Sequence, residues 1–466
     1  MTDTSQRASG ATQTGQTQIL DAAAGESPSH ETQTRRAFFG HSLAASIAAT
    51  TAAGLASPTV AALAGARGWA TSRSGRAGLR VGVIGCGGRG TGAAVNALQA
   101  HPGTTIVAMA DLFPDRLQGS RNHLQGIEEF KDRVRVAEDR LYVGFDAYQR
   151  LLDDGGVDYV VLATPPHFRP IHFAAAVTAG VHVFMEKPVA VDPVGVRRVI
   201  EAAASADAQS LCVVTGTQRR HEASYLAAME QIAGGAIGDV VSARCYWNQG
   251  GLWVHQRRDG ETDMEYQCRN WLYFAWLSGD HICEQHIHNL DVVNWAMGGP
   301  PVKAMGMGGR QVRTGAEYGN IFDHFAIEYE YTGGRHALSM CRQIDGCQSR
   351  VEEAITGSKG VMRTRPGFAQ VEGPGGWRFD QPNENPYVQE HRNLIAAIES
   401  GSGLNEARRT AESTLTAIMG RMSAYTGKEV TWEQAMNSQL DLAPARYEFG
   451  DLEMRPVPTP GRTPLI

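Results

Sequence analysis

Leu79-Arg80-Val81-Gly82-Val83-Ile84 runs directly into Gly85-Cys86-Gly87-Gly88-Arg89-Gly90, and an alanine-rich stretch follows. An apolar strand, a glycine-rich turn and a helix, in that order, make a dinucleotide fingerprint. Gly85 permits the tight turn, Gly87 lets the backbone approach a pyrophosphate, and Gly90 lets the helix pack on the strand. The free N–H groups at the helix start attract the anion. Arg89 lies in the same loop and counts among the expected cofactor contacts. A second apolar stretch, residues 104–110, ends in Asp111. That is about 20 residues past the fingerprint, where a carboxylate accepts from both ribose hydroxyls. Asp111 therefore favours NAD over NADP, because it repels a 2′-phosphate.

The alternation continues with strand-like residues 157–163, helix-like 171–179, strand-like 182–185 and a further apolar run at 211–214. Alternating βα units predict an α/β Rossmann domain, a doubly wound parallel sheet, over residues 79–218. Ligands of such sheets bind beyond the carboxyl ends of the strands. Thr164, Pro165 and His167, then Glu186 and Lys187, then Gln218 all leave strands at that edge and are expected beside the cofactor. From Asp239 onward the pattern changes to period-two stretches at 240–246, 325–331 and 336–340, separated by glycine-containing turns. Helical periodicity returns at 390–400 and 407–425, in segments expected to pack back on the core. Residues 219–451 are thus predicted to form an α+β domain with a large, mostly antiparallel sheet, and 452–466 a tail.

The chain has 466 residues, 42% of them hydrophobic, which is enough to bury substantial cores. A formal net charge of -6 argues against nonspecific nucleic-acid binding, which needs an excess of Lys and Arg. The seven cysteines are odd in number and contain no CxxC pair, so neither a disulfide framework nor a zinc finger is expected. Residues 1–70 read as an address. A polar, low-hydrophobicity stretch to Thr34 is expected to be disordered. Arg35-Arg36-Ala37-Phe38-Phe39, an alanine-rich run from Ser42 to Ala56 and the AxA-like Ala62-Leu63-Ala64 then follow as in a twin-arginine leader. The expectation is export to the periplasm by the twin-arginine machinery, with no stable membrane anchor after cleavage.

Four motifs together resemble the glucose-fructose oxidoreductase / inositol dehydrogenase (Gfo/Idh/MocA) family: GCGGRG after the first strand, ATPPHF at 163–168, MEKPVA at 185–190 and EQHIHNLD at 284–291. The combination is specific although no single motif is. The resemblance implies a second domain whose sheet closes the active site and mediates oligomerisation, so a homo-oligomer, dimer or tetramer, is expected. It also implies that Lys187 lies by the nicotinamide and hydrogen-bonds the reacting oxygen, while His288 serves as acid or base with Glu284 four residues before it. At i and i+4, Glu284 and His288 are expected to share one helical face, with Asp291 on the next turn. The family pattern is DxGxHxxD. Here Glu284 replaces the first Asp and His286 the Gly, which points to a reshaped pocket.

Oxidation of a secondary alcohol needs a hydride acceptor and a positioned base, and Lys187, His288 and Glu284 are the catalytic candidates. Arg220, His286, Asp291 and Trp271 are the substrate candidates. Trp271 belongs to an aromatic stretch from Tyr246 to Gly279 whose rings and polar neighbours suit a sugar or polyol, although single members also suit a core. The run from Asp280 to His288 carries groups that bind zinc, but it lacks HExxH form and two of its members are already assigned, so no metal is expected. An exported NAD enzyme must carry its cofactor with it, so the cofactor is expected to be tightly held and recycled within each turnover. Three readings follow: a sugar or cyclitol oxidoreductase, an NAD-dependent glycosidase working by oxidation, elimination, hydration and reduction, and a non-catalytic sugar-binding module. Exported GGRG-type members favour the second, Lys187 disfavours it, and the intact Lys187, Glu284 and His288 disfavour the third.

Overall fold

The computed structural model describes residues 78–466, so the leader expected at residues 1–70 lies outside the described residues. Six strands form the first sheet: β1 (Arg80–Ile84), β2 (Thr105–Asp111), β3 (Leu141–Val143), β4 (Tyr159–Leu162), β5 (His182–Met185) and β6 (Val213–Thr215). Their order is β3-β2-β1-β4-β5-β6, and every pair is parallel. Val81, Val83, Val160, Val161, Val183 and Phe184 are fully buried, as strands covered on both faces require. The strand order reverses between β1 and β4, which opens a crevice at their carboxyl ends.

The second sheet has nine strands: β7 (Val240–Gln249), β8 (Lys303–Gly309), β9 (His324–Tyr331), β10 (Arg335–Gln343), β11 (Arg350–Gly357), β12 (Val361–Arg365), β13 (Phe368–Glu372), β14 (Trp377–Arg378) and β15 (Val430–Thr431). Its order is β14-β13-β12-β11-β7-β10-β9-β8-β15, antiparallel throughout except for β7 beside β10. The period-two pattern decides the faces. Phe325, Ile327, Tyr329 and Tyr331 of β9 point inward, and the Tyr329 hydroxyl donates to the Thr416 carbonyl of the Ala407–Thr426 helix. On the opposite face Met305, Met307, Leu338 and Met340 are exposed.

Two helices return to the first layer. Pro386–Ser400 packs against Gly88–Ala100, and Ala407–Thr426 packs against both Pro193–Ala208 and β8. The Pro386 helix begins four residues earlier than the periodicity indicates, because Asn385 caps it by accepting from the Tyr387 amide. Strands β3 and β11 to β14 carry too little patterned sequence to have been anticipated.

The expectation of a single helix carrying Glu284 and His288 is corrected. A short helix, His281–Glu284, ends at Gln285, and a second begins at Ile287. At the junction the His286 amide reaches back five residues to the His281 carbonyl, while His288 and Asn289 reach back only three. That interrupts the regular i to i−4 ladder.

Candidate active site

The fingerprint loop has the geometry of an anion cradle. Gly85 adopts φ 96°, and a Cβ there would lie 2.5 Å from the Thr164 amide nitrogen. A Cβ on Gly90 would lie 1.7 Å from the Gly85 carbonyl oxygen, whereas one on Gly87 would meet nothing within 4 Å. Gly85 and Gly90 therefore permit close packing, and Gly87 faces the open space a pyrophosphate needs. The helix starting at Gly88 has no side-chain cap and no acidic residue in its first turn, which leaves its amides available to an anion.

Asp111, at the end of β2, accepts from the amides of Cys86 at 2.6 Å and Phe113 at 2.8 Å. Burial raises its pKa, and those two amides pull it back. It lines a pocket with Phe113, Arg116, Phe145, Pro165, Phe168 and His172. In a dinucleotide-binding sheet the acidic end of the second strand is where the adenosine ribose is held.

The other end is a cleft of about 240 Å³ bounded by Arg89, Thr164, Glu186, Lys187, Trp271, Glu284, His288 and Tyr387, among others. Lys187, just past β5, donates to the Glu284 carbonyl oxygen and sits 3.2 Å from Glu284 Oε1. His288 stacks on Trp247 with centroids 5.6 Å apart. Its buried Nδ1 has no hydrogen-bond partner. Burial, then the positive charges of Lys187, Arg219 and Arg89, hold its pKa well below the ordinary imidazole value, so the ring is neutral at pH 7. Lys187, Glu284 and His288 thus meet in one cleft although the helix between Glu284 and His288 is broken. Arg89 ion-pairs with Glu186 and lies over the Tyr387 ring, 5.0 Å from its centroid.

Trp271 lines the cleft, and Trp253 lies beside it with ring centroids 6.0 Å apart. Tyr273, Phe274 and Trp276 are core residues, as single members of an aromatic stretch often are. Gln218 donates through Nε2 to the Tyr387 hydroxyl at 3.2 Å, while its Oε1 is buried without a partner. An orphaned amide oxygen beside the cleft fits a carboxamide donor such as that of a nicotinamide.

Four expected contacts lie elsewhere. His286 is fully buried, with Nε2 at 2.7 Å from Ser339 Oγ and Nδ1 at 3.3 Å from Asn289 Oδ1, and burial depresses its pKa to about 3. It is a core residue and does not reach substrate. Arg220 and Asp291 spend their charges on each other through contacts of 2.8 and 3.0 Å, and Ser413 donates to the same carboxylate. Burial alone would raise the Asp291 pKa, but Arg220 outweighs it and the group is held low. His167 turns from the cleft to the Tyr447 hydroxyl, 2.8 Å away, and its burial lowers its pKa to about 4. The run Asp280 to His288 likewise disperses, with His281 against Asp280 and Cys283 buried apart. Among the described residues no group of three or more His, Cys, Asp and Glu converges as a metal site.

Two cleft residues escaped the sequence reading. Arg169 is buried below the Thr164 loop, donating to the Leu162 and Thr164 carbonyls. Tyr387 belongs to a helix whose first turn the periodicity omits; a Pro-Tyr pair after Asn385 was its one signal.

Residues 79–215 match the family described as "Oxidoreductase family, NAD-binding Rossmann fold", and residues 225–363 match the "GFO/IDH/MocA C-terminal domain". The chain is 29% identical over 216 residues to an uncharacterised oxidoreductase of Streptococcus pneumoniae, an alignment spanning 46% of this chain and 53% of that protein. It is 27% identical over 290 residues to an inositol 2-dehydrogenase of Rubrobacter xylanophilus, covering 62% of this chain and 72% of the relative. Identity reaches 38% to a glycosyl hydrolase family 109 protein of Streptomyces coelicolor, but over 115 residues, 24% of this chain and 23% of that one. Among solved structures, the aldose-aldose oxidoreductase of Caulobacter crescentus shares the fold with a TM-score of 0.61 at 18% identity, covering 76% of this chain and 99% of that one.

Proposed function

The chain belongs to the Gfo/Idh/MocA oxidoreductase family, and from that premise we propose that it oxidises a secondary hydroxyl of a sugar, glycoside or cyclitol with NAD. The observation that carries this reading is the meeting of Lys187, Glu284 and His288 in a cleft that opens beside the fingerprint loop and Glu186. Bound NAD supplies the hydride acceptor. The Gly85 to Gly90 loop with Arg89 would hold its pyrophosphate, Asp111 its adenosine ribose, and Thr164, Glu186 and Gln218 its nicotinamide end. Lys187 donates a hydrogen bond to the substrate hydroxyl, and the neutral His288 accepts that hydroxyl's proton as the C–H electron pair leaves, giving a ketone. Glu284 holds the lysine in place. Trp271 and Trp253 offer faces to a sugar ring.

The Arg35-Arg36 leader supports export through the twin-arginine machinery to the periplasm. There, a tightly held cofactor has to be returned to its starting state within each cycle, by a second sugar or by the same one. The apolar row Met305, Met307, Leu338 and Met340 supports a homo-oligomer joined through the open sheet face. The resemblance to the Streptomyces glycosidase-family protein favours a second reading, in which transient oxidation and elimination release an aglycone.

Lys187→Met tests the assignment. Turnover should fall by at least about a hundredfold, with NAD binding retained. An unchanged rate would sink the oxidation mechanism. In the wild type, NADH absorbance near 340 nm appearing on sugar addition supports net oxidation, whereas aglycone release from aryl glycosides without net reduction supports the glycosidase.

A further inference from the structure

The aromatic walls of the adenosine pocket are backed by residues from far outside the Rossmann layer. The chain from Leu440 to Leu452 is pinned at both ends: the Leu442 amide donates to Asp192 at 2.8 Å, and the Gly450 and Leu452 carbonyls accept from Met264 N and Gln267 Nε2. Between these pins, side chains hold it. The Phe449 ring stacks on Phe113 with centroids 5.9 Å apart and lies 5.4 Å from Phe145. Tyr447 lies 5.8 Å from Phe168 and 6.2 Å from Phe145, and its hydroxyl meets His167 Nε2. Phe113, Phe145 and Phe168 are themselves walls of the pocket that contains Asp111. On the far side Arg269 covers Phe113, 3.9 Å from the ring centroid, and pairs with Asp115 through two contacts of 3.0 Å.

With this arrangement in place the pocket holds about 50 Å³, room for a few water molecules and not for a nucleoside. The adenosine half enters only if part of the wall moves outward. Phe113, Phe145 and Phe168 can move outward only if the 440–452 segment packed behind them gives way, and that segment is the outermost part of the cluster: Tyr447 is 36% exposed and Phe449 47% exposed, whereas Phe113 and Phe168 are buried. We propose that residues 440–452 belong to the nucleotide site as a strap: Tyr447 and Phe449 lift to admit the adenosine half of NAD and re-close to slow its escape. This rests on the reading that NAD occupies the cleft. It locates retention of the cofactor in aromatic contacts made outside the fingerprint, so the dissociation rate of the nucleotide is set separately from the chemistry at Lys187.

The test is stopped-flow dissociation of NADH from the full chain, chased with excess NAD, in wild type, Tyr447→Phe and the Tyr447→Ser/Phe449→Ser double variant. The double variant should release NADH at least about tenfold faster, and Tyr447→Phe should release it less than about threefold faster. A double variant that keeps the wild-type unfolding temperature without nucleotide and releases NADH at the wild-type rate overturns the proposal. Hydrogen exchange of the wild-type amides at 442–452 gives a second readout that needs no variant. Slower exchange on NADH binding supports the strap, and identical exchange overturns it. A wild-type chain that takes up no NADH overturns the cofactor reading and the strap with it, whereas uptake with a strap-independent rate overturns the strap alone.

Discussion

Lowering the pH from 7 to 5 should destabilise this protein through its imidazoles. His167, His172, His286 and His391 are buried, and burial depresses their pKa values to about 4, 3, 3 and 3. In the unfolded chain each titrates near 6.5. Below that value the unfolded state binds protons that the native state refuses, so stability falls as pH falls. Each such group forfeits RT ln(1 + 10^1.5), about 2 kcal/mol, by pH 5, and four forfeit roughly 8 kcal/mol, comparable with the whole stability of a domain. Buried Asp111, Asp192, Glu353 and Glu390 act in the opposite sense, because burial raises their pKa and the native state takes up protons as pH falls. One histidine is isolated by His286→Gln, which keeps a polar side chain beside Ser339 and Asn289. At pH 5.5 a single refused proton contributes a slope of about 1.2 kcal/mol per pH unit. Urea unfolding of wild type and variant at steps from pH 5 to 6 should give curves that differ by about that slope. Curves parallel to within about 0.3 kcal/mol per pH unit would refute the reasoning, whatever the variant's absolute stability.

Other outcomes follow from single contacts. Gly90→Ala places a methyl 1.7 Å from the Gly85 carbonyl oxygen, so the loop must shift; NAD affinity by titration calorimetry should drop at least about tenfold. Arg220→Ala leaves the Asp291 carboxylate buried without its cation and should cost about 3–5 kcal/mol in urea unfolding. Met307, 74% exposed on the open sheet face, becomes charged in Met307→Glu, and if the proposed homo-oligomer forms through that face, light scattering should show a smaller species than for wild type.

The parallel sheet was legible because its two determinants are local: buried runs of β-branched residues and glycines whose missing Cβ the turn requires. The Lys187 position was legible because the carboxyl edge of such a sheet is where ligands bind. Glu284 and His288 line one cleft although they sit on two helices and not on one helical face, and i and i+4 spacing reveals neither the break between the helices nor that His286 turns inward to Ser339. Arg220 and Asp291 look like free cleft charges in the sequence, where nothing shows that they face each other across 71 residues. Tyr387 lines the cleft, and Tyr447 and Phe449 pack behind Phe113 and Phe168, from segments with no motif and no sustained periodicity. Their relevance is a property of tertiary packing alone.

Consecutive residues Arg219 and Arg220 leave the Rossmann sheet and bind different parts of the second domain. Arg219 is held by Glu353 of β11, a carboxylate that also accepts from Tyr225, Asn289 and Thr364, while Arg220 is held by Asp291. A hinge at this crossover would have to pull two desolvated guanidinium groups from their partners at several kcal/mol each. The segment that follows β6 is therefore riveted into the second layer at two consecutive residues, and that point is the costliest place for the crossover to bend.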